Sequence, residues 1–154
     1  MNVMASEACH DVASLKDLMG FQHRRLLERL QKKLGIDAED AQDLFEDLKR
    51  FLFIAGTTRE PVAPPERIDE AWHNFILFTR DYEDFCEKFF GKFIHHKPYG
   101  PEEIAANDGS IIKRTIARTR EVFGNVFSKN WSYAAADCDQ CAGSTNCQST
   151  CNTQ

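Results

Sequence analysis

Three of the chain's five histidines, His73, His95 and His96, fall in one stretch of the sequence, and Asp69 stands one helical turn before the first of them. A neutral imidazole is a borderline-soft nitrogen donor. A carboxylate four residues before it on a helix fixes its tautomer and raises its basicity, the arrangement found around metal-ligating and acid–base histidines. Together these side chains suit zinc or another transition metal. The competing reading is plainer. Asp69 and His73 form a helical ion pair worth about 0.2–0.5 kcal/mol, and one of His95 and His96 caps a helix end while the other is solvated. The spacing lacks the tight ligand pattern of an H-E-x-x-H helix, so the grouping depends on the loop after the helix folding back toward His73. His23 and His10 are further imidazoles that could join such a group.

The six cysteines divide into two kinds. Cys138, Cys141, Cys147 and Cys151 crowd into a polar terminal segment with the spacing C-x2-C-x5-C-x3-C. Four thiols there have no packing duty, and two such pairs can surround one tetrahedral ion with thiolates. Reversible disulfide use or covalent processing of the segment are the alternatives. Cys86 instead lies on an apolar helical stripe, where a thiol behaves as a small, inert hydrophobe. Cys9 and His10 form a short-range pair that says little.

The elements that must position these groups read as helices. Leu15, Leu18, Met19, Leu26, Leu27, Leu30 and Leu34 recur at three- and four-residue steps over 12–34, with Gly20 as an interruption and Gly35 as a stop. Asp37 with Asp40 three residues on marks the start of a second helix that runs through Leu44, Leu48 and Leu52 to Gly56. The proline-bearing stretch 57–65 is a connection. Ile68, Trp72, Phe75, Ile76, Thr79, Tyr82, Cys86, Phe89 and Phe90 form one stripe from Glu66 to Phe90, predicting a single long central helix stopped by Gly91. On its wheel His73 falls at the stripe's margin, between core and solvent. A last helix is predicted over about Ile111 to Phe127, with Trp131 covering its end. No window alternates apolar and polar residues in the manner of a strand. The fold expected is all-α, a compact bundle or orthogonal array of about four main helices. The domain plan is a flexible segment 1–11, a helical body 12–133 and a polar cysteine-containing tail 134–154, which lacks the apolar side chains needed to repay its ordering.

Composition narrows the partners. The chain has 154 residues, 42% of them hydrophobic and 28% charged, with 19 Lys+Arg against 24 Asp+Glu for a net charge of −5. A grip on phosphate backbones needs clustered cations, so nucleic acid is not expected as a partner. No apolar run approaches the ~20 residues of a membrane span, and Met1–Ser14 has neither a basic start nor an apolar h-region, which points to a cytoplasmic protein that does not engage membranes.

The run IDEAWHNFILFTRDYEDFCEKFFGKFIHHKP, Ile68 to Pro98, resembles the signature of the glycine-rich-domain-containing-protein-like family. Asp69, Glu70, Trp72, His73, Phe75, Thr79, Tyr82, Phe85, Cys86, Gly91, His95, His96 and Pro98 carry the resemblance. Val122-Phe123-Gly124 with Trp131 is similar to a second block, so the likeness spans 65–131. Two departures stand out. Phe75 occupies a position where some relatives have a further histidine, and the tail has a single glycine, Gly143, where relatives often end in repeated Cys-Gly-Gly-Cys units. The resemblance implies an α-helical domain and the grouping of His73 with His95 and His96. It implies no catalytic activity.

The reading that follows is a non-catalytic helical protein whose metal ligands are His73, His95, His96 and Asp69, Cys138, Cys141, Cys147 and Cys151, or both sets, with zinc as the first choice of ion. The alternative is an adaptor for another protein, free of metal, with the tail as a redox-active or processed thiol segment. An enzyme using His73 with Asp69, or Cys86 as nucleophile, is supported least, because no phosphate-binding glycine loop or nucleophile elbow is present.

Overall fold

In the computed structural model residues 12–97, 109–125 and 128–132 are described. Over these residues the chain forms six α-helices and one 3-10 turn, with no strand: α1 (Val12–Gly20), α2 (Arg24–Leu34), α3 (Ala38–Thr57), α4 (Glu66–Ile76), α5 (Thr79–Phe90), α6 (Ser110–Phe123) and the turn Lys129–Trp131. The all-α expectation holds. Cys9, His10, the terminal segment 1–11 and the cysteine tail 134–154 lie outside the described residues.

Helix α3 is the axis of the fold and packs on α1, α2, α4, α6 and the 3-10 turn. Its start follows the sequence rule. Asp37 is the N-cap, and its Oδ1 accepts from the Asp40 backbone N–H at 2.8 Å. It runs one residue past Gly56, to Thr57. Leu44, Phe45, Leu48, Phe51 and Leu52 are buried on it, against Leu26 and Leu30 of α2, Ile68, Trp72 and Phe75 of α4, and Tyr82, Phe85 and Phe89 of α5. Each such side chain taken from water contributes about 1.5–3 kcal/mol.

Two polar residues sit on this buried face. The Asp47 carboxylate accepts hydrogen bonds from Trp131 Nε1 (2.9 Å), Asn130 Nδ2 (2.9 Å), Arg50 Nη1 (2.8 Å) and the Ser128 hydroxyl, tying the 3-10 turn to α3. Lys49, fully buried, donates from Nζ to the Met19 and Phe21 carbonyls at 2.5 and 2.9 Å, serving the carbonyls that the end of α1 leaves unpaired. Burial pushes its pKa down, against the pull of nearby Glu46.

Two of the four expected helices are broken in space. The first divides at Gly20, with Phe21–His23 as the link and His23 as an unusual N-cap of α2: its Nδ1 accepts from the Leu26 backbone N–H at 3.0 Å. The predicted continuous helix from Glu66 to Phe90 is also two helices, divided at Leu77–Phe78. Phe78 leaves helical geometry (ψ 67°), and its ring packs on His23 at 4.9 Å and under the Arg25 guanidinium at 5.2 Å. A 25-residue helix would be about 37 Å long. Breaking it lets both apolar faces meet α3 and each other. The last helix starts at Ser110 and ends at Phe123, short of the expected Phe127, with Gly124 as C-cap. Trp131, expected over the end of this helix, is buried in a turn whose main packing is on α3 and α4.

Candidate metal centre

Asp69 and His73 stand at i and i+4 on α4, hence on one face, and their side chains approach at 3.3 Å between Oδ2 and Nδ1. The third member comes from the chain beyond α5. Gly91 caps α5 in the left-handed conformation (φ 65°), which reverses the direction of the chain where a β-carbon would be strained. The segment after it returns to α4. Burial alternates along it: Phe93 exposed, Ile94 buried, His95 exposed, His96 half-buried. That is the period of extended backbone.

His96 Nε2 donates to Asp69 Oδ1 at 2.8 Å, since a carboxylate can only accept. Its ring lies 4.4 Å from Trp72 and 4.2 Å from His73, centroid to centroid. One carboxylate is therefore shared by two imidazoles from different parts of the chain. Ligand atoms of Asp69, His73 and His96 all lie within 4.8 Å of one another, the one group of three or more such residues among those described. The group is graded in exposure: His96 11%, Asp69 34%, His73 54%.

The other expected members fall elsewhere. His95 is exposed and its ring packs at a tilt against Phe93, 4.7 Å between centroids, outside the three-residue group. Cys138, Cys141, Cys147 and Cys151 lie outside the described residues. His23 does not join: its Nε2 bonds Asp81 Oδ2 at 2.8 Å, and its ring is enclosed by Phe21, Phe75 and Phe78. With Nδ1 accepting from Leu26, the proton sits on Nε2 and both nitrogens are committed. Cys86 is buried and unlinked, as its place on the stripe predicts, and burial pushes its thiol pKa up, the opposite of what a nucleophile needs.

Asp81, Asp47, Lys49 and the hydroxyl of Tyr82 lie outside the set of site residues expected from the sequence. For Asp47 and Lys49 a signal existed. They stand three and four residues after Leu44 and Phe45 on α3, polar groups inside an apolar stripe.

Beneath the group lies a buried polar relay. Trp72 Nε1 donates to the Tyr82 hydroxyl at 2.9 Å, and that hydroxyl donates to the Ile94 carbonyl at 2.6 Å. Cys86 is buried one helical turn after Tyr82 on the same helix. Burial holds the Tyr82 hydroxyl protonated far into alkali.

Fold and site together define a small all-helical protein with a two-histidine, one-carboxylate cluster at the surface of its fourth helix. The profile of the UCP032817-like family matches residues 16–119, and the chain belongs to that family. The family's description names no activity and carries no link to the glycine-rich-domain resemblance drawn from Ile68–Pro98. Neither the curated proteins nor the solved structures hold a match to the chain. No helix among the described residues is long and apolar enough to cross a membrane.

Proposed function

We propose that the protein is a non-catalytic metal-binding module in which Asp69, His73 and His96 take a divalent transition ion, zinc first. The observation that carries this is the convergence of three ligand atoms from two separate parts of the chain within 4.8 Å. Zinc takes imidazole nitrogen at 2.0–2.1 Å and carboxylate oxygen at 2.0–2.2 Å, so neighbouring ligands on a tetrahedral ion stand about 3.3 Å apart. His73 Nδ1 stands 3.3 Å from Asp69 Oδ2 and His96 Nε2 2.8 Å from Asp69 Oδ1, so the two imidazoles flank the carboxylate from its two oxygens, and a small turn of Asp69 with a modest opening of the His96 pair brings one oxygen to that spacing from both. Two nitrogens among three donors favour zinc and its neighbours over magnesium or calcium, which prefer oxygen. His95 stands next in sequence as a reserve donor. The thiols of Cys138, Cys141, Cys147 and Cys151 offer a softer set for the same ion or a second one.

The metal-free adaptor reading draws on different residues. Leu77 and Phe93 are large, apolar and exposed, at 62% and 41%. Elemental analysis separates the two. The full chain with all four tail cysteines changed to serine should retain close to one zinc per molecule, and His96→Ala in that background should lose it. A serine variant that holds no zinc while remaining folded overturns the metal centre on α4.

A further inference from the structure

The ordering of His95 and His96 carries an inference about Tyr82, and its functional meaning rests on the metal-binding reading. In an extended segment neighbouring side chains point to opposite sides, so a slip of one residue would exchange the two histidines. What fixes the register is two residues upstream. Ile94 is 7% exposed, its side chain is packed in the core, and its carbonyl accepts from the fully buried Tyr82 hydroxyl at 2.6 Å. Tyr82 is itself held by Trp72 Nε1 at 2.9 Å, and Trp72 is the residue against which the His96 ring packs, tilted by 60°. Helix α4 thus reaches the returning segment twice, through the Trp72–Tyr82–Ile94 relay and through Asp69. No other hydrogen bond described in this segment is as short as the one from Tyr82.

We infer that Tyr82 is the positioning residue of the Asp69–His73–His96 group: its bond to the Ile94 carbonyl sets the register that brings His96, and not His95, onto Asp69. Tyr82 does not touch the ligand atoms. It acts through two residues of backbone. The bond is made in the interior, where a hydrogen bond is shielded from competing water. Without it, Ile94 is held by apolar packing, which specifies depth and not direction, and the segment can place either histidine near the carboxylate.

The test is the imidazole proton–nitrogen NMR spectrum of the full chain with its four tail cysteines changed to serine, recorded with and without zinc. Before zinc is added, the His96 Nε2–H on Asp69 should be visible in the parent and lost to exchange with water in Tyr82→Phe. The His23 Nε2–H on Asp81 should persist in both, showing that the variant is folded. Zinc should shift His73 and His96 and leave His95 in the parent. In Tyr82→Phe it should bind at least tenfold more weakly and shift His95 as well. A glycine inserted between Gly91 and Lys92 tests the same anchor without altering it: His96 should remain the protected and zinc-shifted ring. A Tyr82→Phe protein that retains the His96 signal, or an insertion that puts His95 on Asp69, overturns the inference. Failure of zinc to shift any ring in the parent overturns the metal reading alone, because the metal-free spectra still decide the role of Tyr82.

Discussion

Asp69 and His96 are 27 positions apart in sequence and 2.8 Å apart in space, and the same carboxylate reaches His73 with its other oxygen. This geometry makes Asp69 the shared member of the cluster. An ion placed there replaces two carboxylate–imidazole contacts with three ligand bonds. A ligand that binds only the folded chain stabilises it by about 2.7 kcal/mol at one hundred times its Kd. For a chain of this size each kcal/mol corresponds to roughly 2–4 °C. Zinc should therefore raise the unfolding temperature of the tail-serine protein by about 5–10 °C. Asp69→Ala and His96→Ala should abolish the shift, and His95→Ala should keep most of it. An equal zinc response in all three variants would locate binding elsewhere.

The buried groups dictate the alkaline limb of stability. Cys86 and Tyr82 are acids whose pKa values are raised by burial above their ordinary 9.0 and 10.0. Above those values the unfolded chain releases a proton that the folded chain keeps, so stability falls with pH, by at most about 1.4 kcal/mol per pH unit for each group. Lys49 has the opposite sign. Its folded pKa is lowered, so stability rises with pH through that lowered value and levels off at the ordinary 10.5. The sum should bend downward above about pH 10, where Tyr82 adds to Cys86 and the Lys49 contribution ends. Urea unfolding across pH 8–11 checks it. Tyr82→Phe leaves the Trp72 N–H and the Ile94 carbonyl without their partner, at about 1–3 kcal/mol for each buried group. It should therefore be less stable at pH 7, yet show a shallower decline above pH 10.

Asp47 offers a sharper stability test, because four donors converge on one carboxylate that is 1% exposed. Asp47→Ala removes the acceptor shared by Trp131 Nε1, Asn130 Nδ2 and Arg50 Nη1, and leaves Arg50 with its longer contact to Glu46 at 3.9 Å. Removing one partner of a buried charged network costs about 3–5 kcal/mol. Trp131 fluorescence should shift to the red in the native state, as the turn 129–131 leaves α3. A variant within 1 kcal/mol of the parent with unchanged fluorescence would mean the turn is held without Asp47, by apolar packing together with the Arg67–Asn130 and Lys129–Asp40 bonds.

How much of this was legible from the residues differs from element to element, for physical reasons. Asp37, Gly35 and Gly91 act through their own backbone and side-chain chemistry, and they cap the helices where the sequence places them. The break at Leu77–Phe78 has no glycine or proline to announce it. It is decided by Phe78 packing on His23 and Arg25, residues more than fifty positions away, which override a continuous helical stripe. The same holds at the site. Helical spacing puts Asp69 beside His73, and the stop at Gly91 permits the following segment to return. That His96 is the ring that meets the carboxylate depends on a hydroxyl on α5 and a carbonyl two residues upstream, and neither carries a periodic signature. His23, similar in type to the others, is drawn to Asp81 and the end of α2 by contacts of the same long-range kind.

Gly56 and Gly20 make a matched pair for testing how closely α3 and α5 approach. Both are in or at the end of helices with no positive φ, so alanine suits the backbone and by itself gains about 0.5–1 kcal/mol at such positions. At Gly20 nothing lies within 4 Å of an added β-carbon, and Gly20→Ala should be neutral or slightly stabilising. At Gly56 that carbon would stand 2.5 Å from Phe90 Cδ1 and 2.9 Å from its Cγ and Cε1. A turn of the ring about its own axis does not move Cγ, so relief requires a new rotamer for Phe90 or a shift of the end of α5. Overpacking of this kind costs about 1–3 kcal/mol, more than the helical gain. Gly56→Ala should lower the unfolding midpoint in urea, and Phe90→Ala in the same background should restore part of the loss. That coupling follows because α5 leads directly into Gly91 and the segment bearing His96, so a displaced helix end should also weaken zinc binding. A Gly56→Ala protein as stable as the parent, with zinc affinity unchanged, would show that Phe90 can swing out freely and that the end of α5 does not constrain the site.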